Sequence, residues 1–197
     1  MMVAYKRKAI IAAGVTFCLS LAGCSSAPLH LYTLQGPATS GMPVTGPVMS
    51  NAPVIEVRRV ALPNYLDSQD IMVRDGSALR RSPNGRWAER LSDGITDMVT
   101  ARIGAARPDL VVTEQSLARP ASARLVVTLS RLDIAQSSPS VMEASWAFVP
   151  TNESEPEHVE RATFTSNEAA ISDEKNVAII NSLVSQLSDR IAISLPR

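Results

Sequence analysis

Residues with chemically reactive side chains are scarce in this chain. Its 197 residues include two cysteines and two histidines, and His30 and His158 are not spaced as a metal-ligating pair. Nucleophilic catalysis needs a base within reach of a serine or cysteine, and neither a G-x-S-x-G elbow nor a G-x-x-x-x-G-K-S/T phosphate loop occurs. We therefore expect no enzymatic activity, no metal and no cofactor. The pair Asp67 and Asp70 is the remaining alternative for hydrolysis, but acids at this spacing in a proline-flanked loop are common on surfaces.

The chain also lacks a net charge. Lysine and arginine together number 19, as do aspartate and glutamate. No basic run alternates with aromatic residues, which is the footprint of many nucleic-acid-binding surfaces. The densest basic group, Arg80, Arg81 and Arg86, lies beside a predicted turn and is interpreted as part of a solvated loop. We expect no nucleic-acid partner.

The amino-terminal segment carries a clear pattern. Residues 6–8 are basic, residues 9–21 are apolar, and the run Leu21-Ala22-Gly23-Cys24 follows. This apolar stretch fits a signal peptide and is shorter than the about 20 residues that span a bilayer. The run ending at Cys24 resembles the bacterial lipobox, which implies removal of residues 1–23 and lipidation of Cys24. The alternatives are an ordinary signal peptide with a chance cysteine and a simple amino-terminal anchor.

Lipidation would decide where the protein resides. Two or three acyl chains hold a protein stably on a membrane, and by resemblance to the sorting rules of Gram-negative bacteria, Ser25 favours the outer membrane. We expect a single domain, residues 24–197, on the periplasmic face of that membrane. Cys18 would leave with the signal peptide and Cys24 would carry lipid, so no cysteine is left for a disulfide.

Residues 24–53 set the distance between the lipid and the domain. A strand predicted at 29–34 starts five residues after Cys24, which limits the tether to about 17 Å at roughly 3.3 Å per residue. Residues 35–53 are rich in proline and glycine and are interpreted as a surface connection within the domain. The alternative makes residues 24–53 one long flexible tether.

Apolar periodicity predicts an α+β fold. Apolar residues recur at spacings of three and four in the helices expected at 88–106 and 173–195. Alternating patterns and short apolar runs predict strands at 29–34, 54–62, 71–74, 110–113, 124–134, 141–149 and 158–165. The last three strands are expected to form an antiparallel meander. Asn84-Gly85 predicts a hairpin turn, and Asp75-Gly76 predicts a second turn. Residues 137–140 (Ser-Ser-Pro-Ser) predict the turn between the strands at 124–134 and 141–149. The predicted architecture is a mixed, largely antiparallel sheet with two long helices packed on one face.

Three short strings resemble a known family. They are L-Y-T-L at 31–34, V-x-R-V-x-L-P-x-Y-L-D at 57–67 and R-W-A-E-x-L at 86–91. Together with the lipobox and the two helices, they resemble the ABC-type transport auxiliary lipoproteins over most of the mature chain. The proline- and glycine-rich stretch after Leu34 departs from the family pattern.

The family motifs single out a small set of residues. They are Tyr32, Pro63, Tyr65, Leu66, Asp67, Arg86, Trp87 and Glu89. We interpret Tyr65, Leu66 and Trp87 as core and turn residues. Exposure of the aromatic side chains would favour contact with a partner instead.

The resemblance implies a binding role rather than catalysis. Members of the family are accessory components of lipid-transport systems that contain an MCE-domain protein, an inner-membrane permease and sometimes an ATPase. The expected function is to dock the periplasmic conduit at the outer membrane, with a homo-oligomeric ring as one arrangement and no cofactor besides the covalent lipid on Cys24. The alternatives are an independent lipid carrier, with an apolar cavity between helices and sheet, and an envelope scaffold unrelated to lipid transport.

Overall fold

A computed structural model describes residues 28–34, 51–137 and 139–196. The predicted signal peptide, Cys24, residues 35–50 and Ser138 of the predicted 137–140 turn lie outside the described residues. The helices are α1 (Leu91–Ala106) and α2 (Asp173–Ser194). The strands are β1 (His30–Tyr32), β2 (Val54–Val57), β3 (Asp70–Asp75), β4 (Ala78–Trp87), β5 (Val111–Thr113), β6 (Ala123–Asp133), β7 (Ser140–Pro150) and β8 (His158–Ser166). The α+β class is confirmed.

The larger sheet has five strands in the order β5-β2-β6-β7-β8. Strand β2 is parallel to both of its neighbours, whereas β6, β7 and β8 form the predicted antiparallel meander. Alternate side chains of β6 turn inward, and Leu125, Val127 and Leu129 are at most 1% exposed. Trp146 and Met142 of β7 are buried beside them, as period-two alternation predicts.

The smaller sheet has three strands in the order β1-β4-β3. Strand β4 continues through Asn84 and Gly85, so the hairpin turn predicted there is wrong. The chain reverses at Gly76, whose φ of 58° favours glycine, and the Asp75-Gly76 turn is confirmed. Residues 85–87 stay extended because they pair in parallel with β1. This pairing joins segments far apart in sequence, and local turn signals do not reveal it.

The strands thus form two sheets, where the sequence predicts one. The predicted strand at 54–62 is shorter because β2 ends at Val57, and Val60 N donates to the Thr96 side chain rather than to a neighbouring strand. The sheets meet at Arg74, whose backbone N donates to Ile134 O at 2.7 Å. Arg74 also forms an isolated bridge with Ala135.

A buried carboxylate reinforces the junction of the two sheets. Asp133 is 7% exposed. It accepts from Arg74 Nη2 at 2.7 Å and from Arg131 Nε at 2.6 Å. Burial by itself opposes the charged form, but the two guanidinium groups outweigh it and lower the pKa of Asp133.

Both helices cover the inner face of the larger sheet. Helix α2 contacts β7, β8 and α1, and it also reaches β3 of the smaller sheet. Ser172 caps its start by accepting from Lys175 N, and Asp173 and Glu174 complement the helix dipole in the first turn. Among the described residues, no helix is long and apolar enough to cross a membrane.

Gly85 permits a close approach between β4 and the start of α2. A Cβ atom at residue 85 would overlap the Asp173 carboxylate, which accepts a hydrogen bond from Ser82 Oγ at 2.6 Å. We expect Gly85→Ala to lower the free energy of unfolding by about 1–3 kcal/mol, as overpacking does. In the matched control Gly104→Ala, the added Cβ meets its nearest neighbour, Val112, at 3.9 Å. This helix substitution should stabilise by up to about 1 kcal/mol. Urea unfolding measures both, and equal effects would contradict this account.

Asp133 should make stability depend on pH in a defined direction. Its folded-state pKa is depressed, so its contribution is present above its unfolded-state pKa of about 3.9 and is lost as pH falls through the folded value. We expect Asp133→Asn to cost about 1.5–3 kcal/mol at neutral pH. The difference from wild type should shrink below pH ~4. Unfolding curves at pH 7 and in acid check this, and a pH-independent difference would refute it.

Candidate functional site

The 57–67 string begins at the end of β2, and from Pro63 onward it forms the turn that leads towards β3. Leu66 N and Asp67 N both donate to Pro63 O, at 2.9 and 3.2 Å. Leu66 is 4% exposed and belongs to the core, whereas Tyr65 beside it is 42% exposed. The interpretation as a core residue therefore fits Leu66, and the tyrosine ring is accessible to a partner.

Asp67 organises a polar cluster at the start of α1. Its Oδ1 accepts from Ser92 Oγ at 2.6 Å, and its backbone O accepts from Arg90 Nη1 at 2.8 Å. Arg59 Nη2 donates to the same Ser92 Oγ at 2.7 Å, and Arg59 Nε lies 2.9 Å from Asp93 Oδ1. Carboxylates at a helix start are favoured by the helix dipole. This cluster ties the turn to the helix.

A second set of bonds continues the same junction. Thr96 Oγ1 accepts from Val60 N at 3.0 Å and donates to Ser92 O at 2.6 Å. Leu91 N donates to Ser68 O at 3.2 Å, which satisfies a helix-start amide that the Arg90 side chain does not cap. The 57–67 string and α1 are thus held as one unit.

Tyr32 and Trp87 join β1 to the rest of the fold. They are paired residues of β1 and β4, and Trp87 is 3% exposed. Tyr32 Oη donates to Glu174 Oε1 at 2.8 Å, at the start of α2. This hydrogen bond, followed by burial and the charge of Glu174, raises the pKa of Tyr32 to about 12.

Arg86 and Glu89 complete the set of motif residues. Arg86 Nη1 donates to Ser82 O at 2.7 Å, and its Nε lies 3.2 Å from Asp70 Oδ1. Asp67 and Asp70, the pair considered for hydrolysis, therefore have different partners. Burial raises the pKa of half-buried Glu89, and the charges of Asp97 and Asp93 add to this effect.

An apolar cleft lies at the other end of the molecule. Helix α2 starts beside β1 and β4 and extends for 22 residues, or about 33 Å at 1.5 Å per residue. At its end is a cleft of about 600 Å³. The apolar residues that line it are Pro53, Ile55, Leu110, Phe148, Pro150, Pro156, Leu195 and Pro196.

Arg107 holds one wall of the cleft in place. Its Nη1 donates to Leu195 O at 3.2 Å, and its Nη2 donates to Pro196 O at 2.9 Å. Asp109 accepts from the same guanidinium at 2.8 and 2.7 Å. The hydrogen bond between them raises the pKa of Arg107 and lowers that of Asp109. The segment after α2 is thus fastened by a charged clamp at the edge of an apolar surface.

A second groove adjoins the cleft at the end of α2. Leu195 and Asp109 line both depressions. Ile193, which lines the groove, is 78% exposed. The exposed isoleucine therefore adds apolar surface beside the cleft.

Sequence reasoning did not identify the cleft. Its four prolines stand at the ends of separate elements, where proline ordinarily marks a turn or a helix end. They come together because the ends of β2, β7 and α2 gather at one place in the fold. His158, whose side chain is 53% exposed, lines the same cleft, and its Nε2 lies 2.9 Å from Glu160 Oε1. In the part of the chain that the structure describes, no group of three His, Cys, Asp or Glu side chains could hold a metal.

Two helices packed on a five-stranded sheet, with a second sheet of three strands, define a small α+β domain. A model of the family described as ABC-type transport auxiliary lipoprotein component matches residues 32–192. The chain belongs to this family, and the resemblance of the three sequence strings is confirmed. The family consists of lipoproteins that assist a transporter.

Solved structures share the fold. The crystal structure of an uncharacterized protein superimposes with a TM-score of 0.71 at 16% identity, covering 86% of this chain and 100% of the other. Protein XCC0632 from Xanthomonas campestris, of the DUF330 family, gives a TM-score of 0.59 at 13% identity, with 84% and 93% covered. No curated protein matches the sequence significantly.

Removal of the Asp67 carboxylate should loosen the start of α1. Ser92 is 1% exposed, so Asp67→Ala leaves a buried hydroxyl without its acceptor, and we expect a loss of about 1–3 kcal/mol in unfolding free energy. The control Asp75→Ala removes an ion pair with Arg80 whose side chains are 44% and 71% exposed. It should cost less than about 1 kcal/mol. Urea titrations compare the two, and equal losses would show that the cluster is not specially stabilising.

Proposed function

We propose that the protein is a non-catalytic, lipid-anchored accessory component of an MCE-type intermembrane lipid transport system. In this proposal Cys24 carries the lipid, residues 24–197 form the periplasmic domain at the outer membrane, and the partners are an MCE-domain protein and an inner-membrane permease. The observation that supports it is that β1, which follows the proposed anchor residue in the sequence, and the apolar cleft lie at opposite ends of α2, in a chain of the transport auxiliary family.

The short chain between Cys24 and the described domain indicates which end of the domain would lie near the membrane. Pro28, the first described residue, is four residues after Cys24, which corresponds to a reach of at most about 14 Å. A lipid on Cys24 would therefore keep β1 close to the bilayer. The cleft lies about 33 Å farther along α2, where a protein that crosses the periplasm would meet it.

The chemistry of the cleft suits a protein partner. Proline rings lose little conformational entropy on binding because their backbone is already restricted. The volume of about 600 Å³ would accept one or two large apolar side chains, the kind of anchor that dominates interface energy. Exposed Ile193 would add apolar contact area beside it.

A docking role also agrees with the physics of lipid transport. Each methylene exposed to water costs about 0.8 kcal/mol, so a conduit must meet the bilayer without a gap through which acyl chains contact water. A domain held to the membrane by a short tether would position the end of such a conduit. In a homo-oligomeric ring, several copies of the domain would present their clefts around the end of the conduit.

The lipid-carrier alternative was expected to use a cavity between the helices and the sheet. That region is occupied by packed side chains, and Ile95, Leu125 and Leu183 are each 0% exposed. A carrier would have to use the surface cleft instead, where its lipid would be detected in the purified protein. An envelope scaffold would use the cleft for a partner outside any transporter.

Substitutions at the two ends of α2 test the proposal. Ile193 at the groove and Ile171 before the start of α2 are 78% and 77% exposed, so both should accept glutamate without unfolding. We expect affinity purification of the full-length lipoprotein from gently solubilised envelopes to recover an MCE-domain protein and a permease. Ile193→Glu should lower that recovery by about tenfold or more, since a charge would be buried in the contact. Ile171→Glu should leave it unchanged.

Mass spectrometry of proteins and lipids in the same samples separates the alternatives. Recovery of lipid without transporter subunits would contradict the proposal and support a carrier. Recovery of neither would support a scaffold of another kind. Equal losses for both variants would show that the cleft end is not the docking surface. The intact mass of the lipoprotein reports whether residues 1–23 are removed and Cys24 is acylated.

A further inference from the structure

Two exposed leucines stand at the edge of the smaller sheet. Leu29 and Leu31 are 60% and 63% exposed, although leucine is among the residues most often buried. Residues two apart in an extended segment point to the same side. Tyr32, on the opposite side, reaches Glu174 at the start of α2. The two leucines therefore face away from α2.

Basic side chains share this side of the sheet. Arg86 is the β4 partner of Leu31 and also the partner of Asp70, and Arg81 is the partner of Met72. Paired residues lie on one face of a sheet. The Arg81 side chain is 60% exposed and lies 3.8 Å from Asp70, which is also the ion-pair partner of Arg86. The outer face thus combines apolar leucines with guanidinium groups that outnumber the carboxylate between them. We call Leu29, Leu31, Arg81 and Arg86 the leucine-arginine face.

We propose that the leucine-arginine face docks on the lipid bilayer that carries the anchor. The leucines would enter the boundary between headgroups and acyl chains, and exposed Arg81 would bind lipid phosphates, to which guanidinium groups donate well. Arg86 is 22% exposed and bonded to Ser82 O and Asp70, so it contributes positive charge beneath this contact. Leu29 is five residues after Cys24, so it lies within about 17 Å of an acylated sulfur in the fully extended limit.

Because the proposed anchor already holds the domain at the membrane, a weak affinity of the leucine-arginine face for lipid is sufficient for docking. Because the bilayer is tethered to the same chain, docking is an intramolecular event with a high effective concentration. A single lipidated residue at the end of a tether does not orient a domain, whereas a second contact does. The docked face would direct α2 and the apolar cleft away from the membrane. The inference rests on the proposed lipidation of Cys24 and does not depend on the identity of the transporter partner.

A site-specific fluorophore tests the contact. The sequence has two cysteines, Cys18 and Cys24, of which the first would be removed and the second acylated, so Leu31→Cys would supply the one free thiol. The full mature lipoprotein, labelled there with an environment-sensitive dye, is reconstituted into vesicles of phosphatidylethanolamine and phosphatidylglycerol. The matched control is Val159→Cys, because Val159 of β8 is 62% exposed.

The expected result is a blue shift and several-fold stronger quenching by spin-labelled lipids at residue 31 than at residue 159. Arg81→Glu in the Leu31→Cys background should reduce that quenching, while Arg124→Glu on the larger sheet should not. Equal quenching at residues 31 and 159 would overturn the proposal. So would a blue shift at residue 31 that appears only at high protein density, which would indicate contact between copies.

The intact mass separates this proposal from the proposed function. A mass without acyl chains on Cys24 would overturn both the anchor and the docking. If the protein is acylated but residue 31 is not quenched by lipids, only the proposed docking of the leucine-arginine face would be overturned. Loss of the transporter partner in the purification experiment, with quenching retained, would leave the bilayer contact established.

Discussion

The burial of one side of α2 along its whole length is the constraint on which the other parts of the fold depend. Ile179, Leu183, Leu187 and Ile191 are each 0% exposed, and a buried side chain of this size stabilises a fold by about 1.5–3 kcal/mol relative to an exposed one. The same helix touches both sheets and the other helix. Its start is bonded to β1 through Glu174, and the segment after its end is clamped by Arg107. If α2 were displaced, the two sheets would separate and the cleft would open at the same time.

The motif residues of the family act mainly within this frame. Asp67 holds the start of α1, Leu66 and Trp87 fill the core, and Arg86 braces the irregular part of β4. Such residues identify a family through its fold, since their partners must be preserved for the elements to meet. Tyr65 is the motif residue with a large exposed ring. Surfaces suited to binding lie instead at the cleft and on the outer side of the smaller sheet, where residue type is less constrained by packing.

The two ends of the domain differ in chemistry as well as position. One end combines exposed leucines with guanidinium groups and lies close in sequence to the proposed lipid, which suits a headgroup surface. The other presents prolines and aliphatic side chains in a concave site, which suits an apolar protein segment. A helix of about 33 Å between them, packed on both sheets, keeps their separation constant. Such a rigid spacer would suit the proposed role, in which the protein joins a membrane to a conduit.

Local patterns in the sequence determined the two helices, the meander of the last three strands, the inward faces of β6 and β7, and the resemblance to a lipoprotein signal. Each depends on residues only a few positions apart, so a single segment carries the information. The tertiary structure alone decided that residues 84–85 stay extended, that the strands divide into two sheets at Arg74, and that four prolines meet in a cleft. These features arise from pairings between distant segments, whose geometry is set by the packing of the whole domain and which no local periodicity records.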